Sequence, residues 1–280
     1  PSVSDLRTES DAHHVAVFRD GDAHPLVVQN APDGGRPYLH PIEAPAGAGS
    51  VTEDQPGHHP WQHGLYIGLN DVNGVGFWSE KLWPATADLD GTFSSRIVGV
   101  PRTEVGAAHW AVETDYLDPQ GERMFRDLQR WTLRDHDTRL ELRLEWTLTA
   151  DRDLVFGRYD YGGLFLRMPY RDETGGSAVD SEGTNGPANR ARWVAVRMPL
   201  PETGRPARVA LLDHPGNLEH PVPWRIDNQL GVGPSPSLAG PWVLAAERFR
   251  TFVYGVVVGD ADLTDHEIET RWGAFAKEHA

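Results

Sequence analysis

A strict two-residue alternation through the middle of the chain constrains its fold most. Leu140, Leu142, Leu144, Trp146 and Leu148 are apolar, with Glu141, Arg143, Glu145 and Thr147 between them. That period places every second side chain on one face, as in a strand with one side on a core and the other in water. Trp110–Tyr116 and Met124–Leu133 read as the two strands before it. The turn Asp118-Pro119-Gln120-Gly121 joins those two, and Asp135-His136-Asp137 leads into the third. Together they predict an antiparallel meander.

Ten more segments carry strand signals: Val15–Phe18, Leu26–Gln29, Leu65–Leu69, Ser94–Val100, Leu154–Tyr159, Leu164–Met168, Trp193–Arg197, Val209–Asp213, Trp242–Arg248 and Phe252–Val258. The stretch Pro32 to Gly49, rich in Gly, Pro and Ala, reads as a long loop. One helix is expected, about 264–277, with Thr264 as N-cap, Glu267 as its capping-box partner, and Ile268, Trp272 and Phe275 on one face. The expectation is an all-β chain: a large antiparallel β-sandwich, supersandwich or jelly-roll-like, forming a single domain over residues 1–280 with one C-terminal helix.

Composition narrows the function. Lysine and arginine total 26 against 41 aspartates and glutamates, a formal charge of −15, so nucleic acid and anionic membrane are disfavoured as partners. No cysteine is present, which excludes disulfides, thiolate metal sites and cysteine nucleophiles. Pro1 to Glu9 is polar and no window approaches a spanning helix, so the cytoplasm is the expected compartment. The sequence has no G-x-G-x-x-G, no G-x-S-x-G and no H-E-x-x-H. Nucleotide cofactors are therefore not expected. Homo-oligomerisation is left open.

Five polar segments interrupt the strand pattern. Gly57 to Gly68 holds His58, His59 and His63 within six residues, and imidazole serves as metal ligand or acid/base near neutral pH. If His63 opens the following strand, it shares a face with Leu65. Asn70 to Glu80 contains the Asn73-Gly74 turn, with Trp78 and Glu80 offering a stacking face and a carboxylate. Arg158 to Leu164 places Asp160 and Tyr161 beside paired glycines. Asp180 to Trp193 carries Glu182 and Arg192. Asp213 to Trp224 carries His214, which Asp213 orients only if the two side chains turn to the same side.

These segments resemble a bacterial family known as PmoA-like proteins. The resemblance rests on His58 through Trp78, on Ser181-Glu182-Gly183 with Arg192-Trp193, and on Asp213-His214-Pro215 with Asn217, His220-Pro221 and Pro223-Trp224. Where many such relatives carry an arginine, this chain has Pro60 or Trp61-Gln62. The methane-oxygenase label attached to that family suits neither the absence of membrane spans nor the lack of a metal-rich membrane setting. What the resemblance implies is a β-sandwich of carbohydrate metabolism, akin in architecture to the galactose mutarotase supersandwich.

Tryptophan, histidine, carboxylate and arginine together suit sugars, whose C–H faces stack on rings and whose hydroxyls bond charged groups. The leading expectation is a carbohydrate-active enzyme, acting on a sugar, glycoside or keto-sugar by hydrolysis, elimination or epimerisation. His59, His63 and His214 are the candidate acid/base groups, with Glu182 or Asp160 as carboxylate. Trp78, Tyr161, Arg192, Trp224, Asn73 and His58 are the candidate substrate contacts. Two alternatives stand beside it: a divalent metal held by His58, His59, His63 or His214, and a noncatalytic sugar-binding module.

Overall fold

The computed structural model describes residues 5–279. Two antiparallel sheets form the fold. The eleven-stranded first sheet has a main path running Leu6–Ser10, His14–Arg19, Val27–Asn30, Tyr38–Ile42, Leu65–Val72, Gly163–Leu166, Val232–Pro234 and Trp224–Ile226. The nine-stranded second sheet follows Ser177–Asp180, Trp193–Pro199, Pro206–Asp213, Phe249–Asp260, Arg139–Ala150, Arg123–Asp135, Ala107–Leu117 and Thr92–Ile97.

The meander forms in the second sheet with the expected registers: Trp131 faces Trp110 on one side and Leu144 on the other. Its first turn works as the residues dictate. Gly121 adopts φ 84°, and the Asp118 carboxylate accepts from the amides of Gln120 (3.0 Å) and Glu122 (2.9 Å). Leu140, Leu142, Leu144, Trp146 and Leu148 are buried in the core between the sheets, while the residues between them are only partly covered.

The second sheet is covered on both faces along part of its width. On Trp193–Pro199, Val194 and Val196 enter the central core, whereas Trp193 and Ala195 pack with Ile268 and Phe275 of the helix Asp265–Phe275. The helix therefore lies on the face turned away from the first sheet. Thr264 and Glu267 form the reciprocal capping box.

Two expectations need correction. Pro32 to Gly49 is not all loop, because Tyr38–Ile42 pairs with Val27–Asn30 and with Leu65–Val72. Pro41 inside that run removes an amide and disguises it. The Trp242–Arg248 run is not one strand either. Trp242–Leu244 pairs with Leu154–Phe156 in the first sheet, and Phe249–Asp260 then begins in the second.

The core also holds a carboxylate. Asp127 is wholly buried and accepts from Trp146 Nε1 (2.8 Å), the Tyr116 hydroxyl (3.0 Å) and Gln129 Nε2 (3.2 Å). Burial outweighs these bonds and pushes its pKa up to about 6. A carboxyl raised on folding is destabilising above its unfolded pKa and neutral in effect below it. Asp127→Asn should therefore gain stability relative to wild type as pH rises from 4 to 7, by about 3 kcal/mol for a two-unit shift. Urea melts at the two pH values check this, and a pH-independent difference would contradict it.

Candidate functional site

The strand Leu65–Val72 is buried on both sides, and that is what builds the site. Leu65, Ile67 and Leu69 enter the central core. Tyr66 turns the other way, into a separate aromatic layer with Trp61, Trp78 and Phe165. This layer lies on the face of the first sheet turned away from the second. Gly68, on the Tyr66 side, lets the Trp78 ring lie against the strand: a Cβ there would come within 2.4 Å of the indole. Trp78 is met in turn by Tyr161, with ring centroids 4.0 Å apart.

A cleft of about 390 Å³ opens over this layer. Trp61, Trp78, Trp83, Tyr159, Tyr161 and Phe165 supply its aromatic walls. Trp83 remains 47% exposed and leans on Trp61, with centroids 5.0 Å apart. Polar groups converge on it: His59 and Gln62 from before the central strand, Asn70 near that strand's end, Arg225 on the strand Trp224–Ile226, and Asp227, Asn228 and Gln229 from the connection to Val232–Pro234. Asn70 Nδ2 donates to the Tyr161 hydroxyl at 3.4 Å.

His59 and Asp227 are the groups suited to moving protons. Partial burial, with His58 and the guanidinium of Arg167 close by, lowers the pKa of His59 against the pull of Asp227. The imidazole is therefore neutral at pH 7 and competent as a base. Its Nδ1 is buried and has no hydrogen-bond partner. Asp227 Oδ1 accepts from the amides of Gln229 (2.9 Å) and Gly231 (2.8 Å), which fixes the carboxylate in its turn. Among the described residues it is the only carboxylate lining the cleft.

Behind the aromatic layer lies a buried ionic chain. His63 bonds Asp54 Oδ1 through Nδ1 (2.6 Å) and Glu80 Oε2 through Nε2 (2.7 Å), and its ring stacks on Tyr38 at 4.4 Å. Desolvation opposes its charge, yet the two carboxylates prevail and raise its pKa, and both ring nitrogens face carboxylate oxygens, as an imidazolium's two donors require. Glu80 is likewise opposed by burial, but the charge of Arg36 and the bond from His63 hold it down to about 2. Arg36 is fully buried, lies 3.4 Å from Glu80, and donates to the carbonyls of Trp61 (3.3 Å) and Trp78. The ion pairs thus fix the backbone carrying two of the aromatic walls.

The structure brings together some of the candidates named from sequence. His59, Trp78 and Tyr161 line the cleft, and His58 stands at its margin with its ring 4.8 Å from that of His59. His63 lies behind the cleft with both nitrogens engaged, on the Tyr66 side of the strand rather than with Leu65. Asp160 is exposed and does not line the cleft. Asn73 is spent on the neighbouring strand, bonding Asp153 O (2.9 Å) and the Val155 amide (2.7 Å).

The remaining candidates gather at the second sheet or in the core. His214 sits against Phe275 of the helix, accepting from Gly216 N (3.0 Å) and bonding Glu278 O (3.1 Å). The buried Asp213 takes His220 (2.7 Å), not His214. Glu182 pairs with Arg192, which also reaches Glu269 of the helix, each at 3.1–3.2 Å. Trp224 is buried, with Nε1 donating to Ala191 O at 2.9 Å. His58, His59, His63 and His214 do not converge. Among the described residues no three His, Asp or Glu side chains are grouped to hold a metal ion.

Sequence reasoning missed Trp61, Trp83, Tyr159 and the Arg225–Gln229 turn. The Asp227-Asn228-Gln229 run before Gly231 carried a turn signal, but nothing local pointed it at His59.

The site is thus an outer-face aromatic cleft on a two-sheet sandwich, lined by one imidazole and one carboxylate among the described residues. The chain belongs to a family of unknown function, DUF6807, which residues 8–273 match. The match brings no methane-oxygenase activity with it. No curated protein matches the sequence. Among solved structures, the chain is similar to the Slr1438 protein from Synechocystis sp. PCC 6803, at 12% identity and TM-score 0.41, covering 93% of this chain and 98% of that one. A galactose mutarotase related enzyme from Lactobacillus acidophilus gives 9%, TM-score 0.38, and 91% and 97% coverage. An α-galactosidase from Lactobacillus brevis gives 10%, TM-score 0.38, and 91% of this chain against 39% of that one. No helix among the described residues is long and apolar enough to cross a membrane.

Proposed function

We propose that the protein is a carbohydrate-active enzyme whose cleft holds a sugar ring of a small carbohydrate or glycoside, with His59 as the proton-transferring base. The observation that carries this is the cleft itself: aromatic walls with a neutral imidazole and a fixed carboxylate, at a volume within the roughly 300–1,000 Å³ of small-molecule sites. Glycoside hydrolysis generally needs two opposed carboxylates. Asp227 stands alone in that respect among the described lining residues. Epimerisation or β-elimination beside a carbonyl fits better.

In that chemistry His59 takes the proton from a carbon next to the carbonyl, and the electron pair moves onto the carbonyl oxygen. Arg225 lines the cleft, and its guanidinium makes no hydrogen bond or ion pair among the described residues, so it is placed to stabilise that oxyanion. Delivery of a proton from water to the opposite face epimerises the sugar, and His59 then releases its own proton to solvent. Loss of an alcohol from the adjacent carbon, protonated on leaving by the imidazolium, eliminates it.

The test is tryptophan fluorescence titrated with glycosides and their 3-keto forms. Binding should saturate, and Trp83→Ala, at a half-exposed wall, should raise Kd about 10-fold, the equivalent of one ring stack. No saturable binding across the panel, or a variant that binds as wild type, would overturn the reading.

A further inference from the structure

A second hollow adjoins the cleft. Its volume is about 330 Å³, and Gln229 lines both cavities. The wall between them is thin: His58 Nε2 meets the Gln229 side-chain amide at 2.5 Å. The hollow's character differs from the cleft's. Tyr170 is its one aromatic residue, and Glu53, Arg171, Asp172 and Glu173 surround it with both signs of charge.

Behind its wall a buried arginine, short of acceptors, braces the lining residues His58 and Glu53. Arg167 is fully buried, donates through Nη2 to His58 Nε2 at 3.0 Å, and its Nε lies 3.5 Å from Glu53 Oε2. Neither its Nε nor its Nη1 has a hydrogen-bond partner, and nor does Glu53 Oε2. Arg171 holds the other Glu53 oxygen at 2.8 Å. The lining itself mixes donors, Arg171, Tyr170 and Gln229, with the carboxylates Glu53, Asp172 and Glu173. Three lining carboxylates, Glu53, Asp172 and Glu173, face one lining cation, Arg171, which disfavours an anionic guest. A hydroxyl, by contrast, accepts from a guanidinium and donates to a carboxylate at once.

We infer that this hollow is a second subsite, which takes the second sugar ring of a two-ring glycoside while the aromatic cleft holds the first. The linkage then passes over the His58–Gln229 contact, beside His59. This inference rests on the sugar-binding reading of the cleft and deepens it: the substrate class becomes a disaccharide or a glycoside with a hydroxyl-rich aglycone. Asp172 and Glu173 form the outer rim, and Arg171, 45% exposed at its side chain, is the group whose loss leaves the fold intact.

Isothermal titration with maltose, cellobiose and lactose decides it, each beside the methyl glycoside of its nonreducing sugar. At least one disaccharide should bind 10-fold or more tightly than its methyl glycoside. Arg171→Ala should remove most of that gain and leave the methyl glycoside within 2-fold. Glu53→Gln should do the same. Methyl glycosides that bind as well as every disaccharide, or an Arg171→Ala loss equal for both, would overturn the second subsite while leaving the one-ring cleft standing. Absence of binding by either kind of probe would overturn both.

Discussion

Replacing His63 by alanine will lower the unfolding free energy by about 3 kcal/mol, the low end for breaking a buried pair, because it leaves two partly buried carboxylates facing each other without their shared cation. Asp54 and Glu80 bond the two ring nitrogens at 2.6 and 2.7 Å, and the imidazole is almost wholly covered. The pH dependence follows from the two shifted groups. His63 is raised above 6.5, so its contribution is full below that value and is lost as pH rises through the raised one. Glu80 is held from 4.5 down to about 2, so its contribution is full above 4.5 and lost as pH falls toward 2. The difference between wild type and His63→Ala is therefore greatest between 4.5 and 6.5 and smaller at pH 9. Urea denaturation at pH 5.5 and 9 measures it. Sugar affinity should fall as well, since Arg36, held by Glu80, fixes the carbonyls of Trp61 and Trp78. A penalty below 1 kcal/mol at pH 5.5 would mean the ionic chain does not support the cleft.

Replacing His59 should have the opposite profile. His59→Ala is expected to lower turnover by about 10²–10⁴, the usual contribution of a positioned base, and to shift the melting temperature little. The residue is only partly buried and its Nδ1 bonds nothing in the protein. Wild-type turnover should fall on the acid side of a pKa below 6.5, where the imidazole takes up its proton. Loss of folding in step with loss of turnover would assign His59 to structure.

These two histidines, four residues apart, show what the sequence reveals and what it hides. Period-two segments were legible because strand burial writes itself into alternating residues: Leu140 to Leu148 alternates in the structure as in the sequence. The capped helix was legible for the same local reason. Short strands with a proline, such as Tyr38–Ile42 and Val232–Pro234, lack that imprint and owe their pairing to neighbours.

The candidate site is less legible because it is a matter of convergence. The Gly57–Gly68 segment held the right residue types, but only tertiary contacts separate His59 in the cleft from His63 among its counterions. Asp213 and His214 are neighbours in sequence, yet the loop returns His220 to the aspartate. Asp227, more than 160 residues beyond His59, joins the cleft only because the first sheet gathers the two loops at one place.

Proton transfer in the cleft is tested most directly by proton NMR of glycosides and their 3-keto forms incubated with the protein in D2O. The expected result is deuterium entering the carbon beside the carbonyl, or release of the aglycone as an alcohol, well above the buffer rate and returning to it with His59→Ala. Sugars that bind saturably but neither exchange nor break faster than in buffer would contradict catalysis at His59 and leave the cleft as a binding site alone.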